Sequence, residues 1–246
     1  MAQQAPLYII ASPRPRVGKT LIARLMIEFL RVGGRAVAGY DLDPRDPVLA
    51  GRFPELVSAL DISETRGQMA LFDRLIANSS RTVVIDLGYA QFDTFFAVMT
   101  EIGFVREAKR RGIEPVILFV SDTAPATART YTALRSGLPT TTFVPVHNES
   151  VSVMFEKKDF PSSRPEFGVI LVPRLSAIVR GVVDRPSFSF GDYMSGDRPG
   201  GPTEIHSWIA NIFTEFRELE LRLLMGKLNA SLGGGTTRPR EVRRER

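Results

Sequence analysis

The 246-residue chain predicts an α/β fold: a mostly parallel sheet with helices on both faces. Two observations predict it. Short apolar runs of strand length alternate with longer helical segments, which implies parallel strands joined by crossover helices. Several runs also end at polar residues, namely Asp43, Asp86, Ser121-Asp122 and Asn148. Ligands in such sheets bind beyond the carboxyl ends of the strands, so these residues mark one site.

The elements follow in order. Leu7-Tyr8-Ile9-Ile10-Ala11 makes a strand over 6–11. Leu21, Ile22, Leu25, Met26, Phe29 and Leu30 recur at helical spacing and make an amphipathic helix over 18–33. Ala36-Val37-Ala38-Gly39-Tyr40 is a buried strand over 35–41, and a short strand follows at 56–60. A helix at 64–78 leads to Thr82-Val83-Val84-Ile85, a strand over 82–86. Then come a helix at 91–111, a strand at 115–120, a helix at 124–136, strands at 141–146 and 168–172, and a helix at 174–182. The last helix, 203–229, carries a stripe of Ile205, Trp208, Ile209, Ile212, Phe213, Phe216, Leu219, Leu223 and Leu224. The stripe predicts packing onto the sheet; a dimer surface or a membrane-lying face is the alternative, and Glu215, Glu218 and Glu220 oppose an anionic membrane. No internal repeat is visible.

Two segments are irregular. Phe160 to Pro165 is rich in Pro and Ser, and Asp184 to Pro202 is a long loop carrying Phe188, Phe190 and Tyr193. Loops that long are uncommon and often functional. The three aromatics predict a flap packed on itself, with a cap over a ligand pocket or a partner contact as the alternatives.

Composition bounds the rest. One domain over 1–232 is the economical reading, with a Gly-then-Arg-rich tail at 233–246. With no cysteine, disulfides and thiolate metal sites are excluded, and two histidines make a transition-metal site a poor reading. No apolar run spans a bilayer and the start lacks a secretory pattern, so a cytoplasmic protein is expected. The net charge is +5, and the segment 236–246, with five Arg and two Glu, carries +3 of it. The body is therefore nearly balanced and no global nucleic-acid surface is indicated. Only the tail offers a weak contact to nucleic acid or an acidic membrane.

The chemistry concentrates at residues 13–20, Pro-Arg-Pro-Arg-Val-Gly-Lys-Thr. Gly18-Lys19-Thr20, between a strand and a helix, is the ending of a phosphate-binding loop. Such a loop wraps phosphates in backbone N–H groups at a helix N-terminus. Lys19 is the point charge for the phosphates, and the Thr20 hydroxyl is a Mg²⁺ ligand. Pro13 stands where the first glycine of that pattern stands, and Pro15 removes one N–H donor. Arg14 and Arg16 add cations that pair well with phosphate oxygens. Asp86, ending an apolar strand, suits Mg²⁺ held through water.

In this order, with Asp41-Leu42-Asp43-Pro44 after the second strand, the motifs resemble the ParA/MinD family of deviant Walker ATPases. Arg14-Pro15-Arg16-Val17-Gly18-Lys19-Thr20 follows that family's Lys-Gly-Gly-Val-Gly-Lys-Thr layout, with Arg14 where the family has its additional Lys. Asn148 after Thr142-Phe143-Val144-Pro145-Val146 resembles the family's adenine-reading Asn, and Pro173 after Val169 to Val172 its later proline beside the base. The resemblance implies a P-loop NTPase fold of the SIMIBI type and a cofactor, ATP with Mg²⁺. It implies that Arg16, Val17, Gly18, Lys19, Thr20 and Leu21 surround the phosphates and that Thr20 and Asp86 hold the metal. It implies that Asp43 handles the attacking water, with Asp41 in support, and that Arg14 or Arg16 acts as an arginine finger. It also implies a protein partner and an ATP-dependent homodimer. Two other readings stay open: an inactive nucleotide-binding scaffold, and an ATP-dependent ligase of the dethiobiotin synthetase kind, whose loop is similar.

Overall fold

The computed structural model describes residues 5–77, 81–152, 158–162, 167–196 and 203–233. Seven strands form one sheet: β1 (Ala5–Ala11), β2 (Val37–Asp41), β3 (Val57–Ala59), β4 (Thr82–Asp86), β5 (Ile113–Ser121), β6 (Thr142–Asn148) and β7 (Ile170–Val172). Their order is β3-β2-β4-β1-β5-β6-β7, and every pairing is parallel. β1 is central, so its carboxyl end, where Gly18-Lys19-Thr20 begins α1 (Lys19–Val32), lies mid-sheet.

The sheet is buried on both sides because successive side chains point to opposite faces. Tyr8, Ile10, Leu118 and Val144 face α1 and the last helix, α9 (Glu204–Gly233). Leu7, Ile9, Phe119 and Phe143 face the other layer: α3 (Thr65–Ala77), α4 (Phe92–Glu101), α5 (Phe104–Arg110) and α6 (Pro125–Gly137). Each such aliphatic or Phe side chain contributes about 1.5–3 kcal/mol by leaving water.

The expected α9 stripe is buried except at its end: Ile205 to Leu223 pack on the core, while Leu224 is exposed. Tyr8, fully buried on β1, donates from its hydroxyl to Glu220 Oε1 of α9 at 3.1 Å. Arg35 grips the same carboxylate with both terminal nitrogens. Burial, reinforced by Glu220, drives the Tyr8 phenol pKa well above its ordinary value. Glu220→Ala strands a buried hydroxyl and a cation and is expected to cost about 1–3 kcal/mol. Urea unfolding checks it, with Glu220→Gln retaining part of the loss.

Some element boundaries differ from the sequence expectation. The helix expected over 91–111 is two helices, because Gly103 adopts φ +63° between α4 and α5. The strand expected at 168–172 is only Ile170–Val172, since Gly168 turns at φ +62°. The helix expected at 174–182 is α7 (Ala177–Val183). A five-residue helix, α2 (Val48–Arg52), has no counterpart in the sequence expectation. The long loop also contains a helix, α8 (Phe190–Ser195), whose N-cap Ser189 accepts from the Asp192 amide. Residues 163–166, 197–202 and 234–246, hence parts of both irregular segments and nearly all the tail, lie outside the described residues. Among the described residues no helix is long and apolar enough to cross a membrane.

The aromatics of the long loop are structural. Phe190 is fully buried, 5.9 Å from the Trp208 ring and 5.3 Å from Phe188. They rest on a charged pair inside α1. Arg24 and Glu28, 4% and 3% exposed, lie 3.1 Å apart. Arg24 donates to the carbonyls of Val183 and Phe188, and its guanidinium lies 4.3 Å from the Phe190 ring centroid. Glu28 Oε2 accepts from the Ser189 hydroxyl and the Gly191 amide, each at 2.9 Å. From outside, Arg52 binds the carbonyls of Asp184, Arg185 and Pro186. Glu28 is eight residues beyond Thr20, about 12 Å along the helix axis. The segment therefore covers the middle and far end of α1, away from its Gly18-Lys19-Thr20 end.

Candidate functional site

The site forms where β1, β2, β4 and β6 end together. Ser12 is fully buried after β1 and its hydroxyl accepts from the Arg14 amide at 3.3 Å. Arg14, Pro15 and Arg16 are exposed, and Val17 turns back into the core. The turn requires two left-handed residues, Arg16 at φ +58° and Gly18 at φ +95°. A left-handed non-glycine residue costs about 1–2 kcal/mol, so Arg16 is held there by the closure of the loop around it.

A side chain at Gly18 would be strained at φ +95°. A Cβ there would lie 2.5 Å from Asn148 Nδ2. Asn148 reaches across from the end of β6 and donates from that nitrogen to the Val17 carbonyl at 3.1 Å, while its Oδ1 accepts from the Ser150 amide. It is 3% exposed. The loop backbone is thus tied to a strand 131 residues away. The α1 hydrogen bonds begin at once, with the Ile22 amide donating to the Gly18 carbonyl. Leu21 packs against the core.

Lys19, 8% exposed, donates from Nζ to the Arg14 carbonyl at 2.7 Å. Burial pulls its pKa down, and Asp86 and Asp43 pull it back up. Asp86 pairs in register with Ile10 on one side and Asp41 on the other. It is 4% exposed, and its pKa is pushed up to about 7, first by burial and then by the charges of Asp41 and Asp43. A hydrogen bond from the Thr20 hydroxyl and the charge of Lys19 oppose that rise. Thr20, Lys19 and Asp86 therefore share one small volume.

Asp41 and Asp43 separate in role. Asp41 Oδ1 accepts from the Asp43 amide, and Oδ2 accepts from the Leu49 and Ala50 amides. Asp41 is thereby the cap of α2 and the anchor of the turn beyond β2. Asp43, half-buried, accepts only from the Arg45 amide at 3.3 Å among its described hydrogen bonds. Its segment presses on Gly88, where a Cβ would lie 2.7 Å from the Leu42 carbonyl oxygen. Asp43 acts electrostatically on both Lys19 and Asp86.

Of the residues the sequence singles out, Lys19, Thr20, Asp43, Asp86, Asn148 and the loop Arg14 to Gly18 come together. Pro173 follows β7, whose Val172 is in register with Asn148. Its carbonyl accepts from the Trp208 indole at 2.7 Å. His147, buried beside Asn148, has its pKa lowered by burial. A pairing that sequence spacing does not disclose is Arg14 with Asp122, 3.1 Å from Nε to Oδ2 across 108 positions.

No family model matches the chain, and no curated protein matches it. Among solved structures, a chain of the MinC:MinD cell division protein complex of Aquifex aeolicus is similar. The TM-score is 0.50 at 14% identity, over 98% of this chain and 99% of that chain. At that identity the likeness is one of fold. The shared fold is a seven-stranded parallel sheet covered by helices on both faces.

Proposed function

We propose that this chain is a cytoplasmic ATP-binding switch of the ParA/MinD type that positions or assembles a partner complex. The observation that carries the reading is the convergence of Lys19, Thr20 and Asp86 beneath a loop closed by left-handed Gly18. Those residues suit ATP and Mg²⁺. Gly18 takes a left-handed φ of +95° and packs its Cα against the Asn148 amide, which fixes the loop backbone at the start of α1. Thr20 and Asp86 are hard oxygen donors, and one or two such donors beside phosphate are how proteins hold Mg²⁺.

Bound ATP and Mg²⁺ would supply the phosphoryl group and neutralise its charge. The chain's own part is positioning. Lys19 exchanges the Arg14 carbonyl for phosphate oxygens, with the N–H groups from Arg16 to Leu21 around them. Thr20 and Asp86 hold the metal, Asp86 through water. Asp43 has the free carboxylate capacity to orient or deprotonate water, whereas Asp41 is committed to α2. Asn148 retains a second amide hydrogen for a base, and Pro173 stands one strand outward. Arg14 is the residue available as an arginine finger. A homodimer formed with ATP and a protein partner complete the proposal.

One observation favours the second reading, a nucleotide-binding scaffold with little turnover. Lys19 and Arg14 already have partners inside the protein.

Calorimetry with Mg–ATP and Mg–ADP tests the proposal. Micromolar binding is expected for the wild type, with about a hundredfold loss or more in Lys19→Ala, since a charge-assisted phosphate contact is lost in a buried site. If neither nucleotide binds at millimolar concentration, the switch is rejected. Binding with equal turnover in wild type and Asp43→Ala rejects the role of Asp43, binding without turnover in the wild type leaves the scaffold, and size-exclusion with and without ATP decides the homodimer.

A further inference from the structure

The loop satisfies its own cations. Lys19 Nζ is 2.7 Å from the Arg14 carbonyl, and the Arg14 guanidinium Nε is 3.1 Å from Asp122 Oδ2. Arg14 is anchored at its amide by Ser12. Asp122 is anchored too. It follows β5, is 14% exposed, and its Oδ1 accepts from the Ala124 amide at 3.0 Å. The carboxylate is therefore built into the turn that starts α6 and does not follow Arg14 if the loop moves. Pro15 and left-handed Arg16 make the bend that brings the Arg14 carbonyl over Lys19.

We infer that Asp122 is a latch on the phosphate loop: it holds Arg14 in the closed form, and a phosphate must displace it before Arg14 can reach the ligand. The inference rests on the nucleotide reading of the same site. A polyphosphate carries more charge than one carboxylate and offers the guanidinium a bidentate partner, so the ligand wins the exchange. The Arg14 side chain is 54% exposed, and ion pairs that open to water are weak. The latch is therefore worth about a two- to fivefold change in affinity. It makes Arg14 a residue that is parked in the empty protein and delivered on binding, and Asp122 a positioning residue.

A double-mutant cycle tests this on the full chain, with Mg–ATP titrated into wild type, Asp122→Asn, Arg14→Gln and the double variant. Asn retains an oxygen for the Ala124 amide, and Asp122→Ser repeats the test with another cap. Asp122→Asn is expected to bind about two- to fivefold tighter than wild type. In the Arg14→Gln background the same change is expected to have no effect. An equal gain in both backgrounds reports only a removed negative charge and overturns the latch, as does unchanged or weaker binding by Asp122→Asn. If none of the variants nor the wild type binds, the nucleotide reading itself fails and the latch with it. If all bind with equal affinity, only the latch falls.

Discussion

Glu28→Ala is expected to destabilise the fold by about 3–5 kcal/mol, because it leaves the buried Arg24 guanidinium without its counter-charge. The cost does not stop at the ion pair. Glu28 Oε2 also satisfies the Ser189 hydroxyl and the Gly191 amide, so α8 loses its attachment to α1. Glu28→Gln keeps an oxygen for those two donors and removes only the charge, so a loss of about 1–3 kcal/mol is expected. Arg24→Met combined with Glu28→Leu removes both charges and leaves no uncompensated buried cation, so it is expected to be milder than Glu28→Ala, although the carbonyls of Val183 and Phe188 lose a donor and the Ser189 hydroxyl and Gly191 amide lose their acceptor. Urea unfolding of the three variants gives the order. If Glu28→Ala were within 1 kcal/mol of wild type, the segment 184–196 would not be held by this pair.

That pair also shows where sequence reading stops. In α1 the apolar residues predict an amphipathic helix, and Arg24 and Glu28, four apart, look like a solvated i, i+4 pair. The helix is instead buried on that side too, because a segment beginning at Val183, 159 residues after Arg24, lies over it. No local period carries that information. α2 was hidden for a related reason. Five residues are too few for a period, and the helix depends on Asp41, which caps it from seven positions before its first residue. The centre of the site was legible because its geometry is local to strand ends. Gly18-Lys19-Thr20 had to follow β1, and Asp86 had to end a neighbouring strand. The division between Asp41 and Asp43 was not legible, since it depends on which carboxylate finds backbone donors. The Arg14–Asp122 pair was not legible either, since it needs the β1–β5 adjacency.

Asp86→Asn is expected to stabilise the empty protein at pH 8 while weakening Mg–ATP binding. The Asp86 pKa is pushed up to about 7 against an ordinary 3.8, mainly because the carboxylate is desolvated. The folded protein therefore holds a proton that the unfolded chain releases near pH 4. A raised folded pKa means stability that is fully present below about 3.8 and is lost as pH climbs through about 7. The full loss is roughly 4 kcal/mol, of which roughly 3 falls between pH 5 and pH 8. Asn carries no such proton, so the gap between Asp86→Asn and wild type, Asn being higher, should widen by roughly 3 kcal/mol from pH 5 to pH 8 and close only below about pH 4. Titrating groups that do not interact with Asp86, His147 among them, cancel in the difference, whereas Lys19, Asp41 and Asp43 titrate together with Asp86. Urea titrations at several pH values check it, and a difference that does not change with pH rejects the buried, protonated Asp86. Binding has the opposite sign. A metal held through Asp86 needs the carboxylate ionised, so Mg–ATP affinity in the wild type should rise between pH 6 and pH 8, and in Asp86→Asn it should be weak and flat. On the metal-binding proposal, a cation bound beside ionised Asp86 would offset the instability that the buried charge imposes.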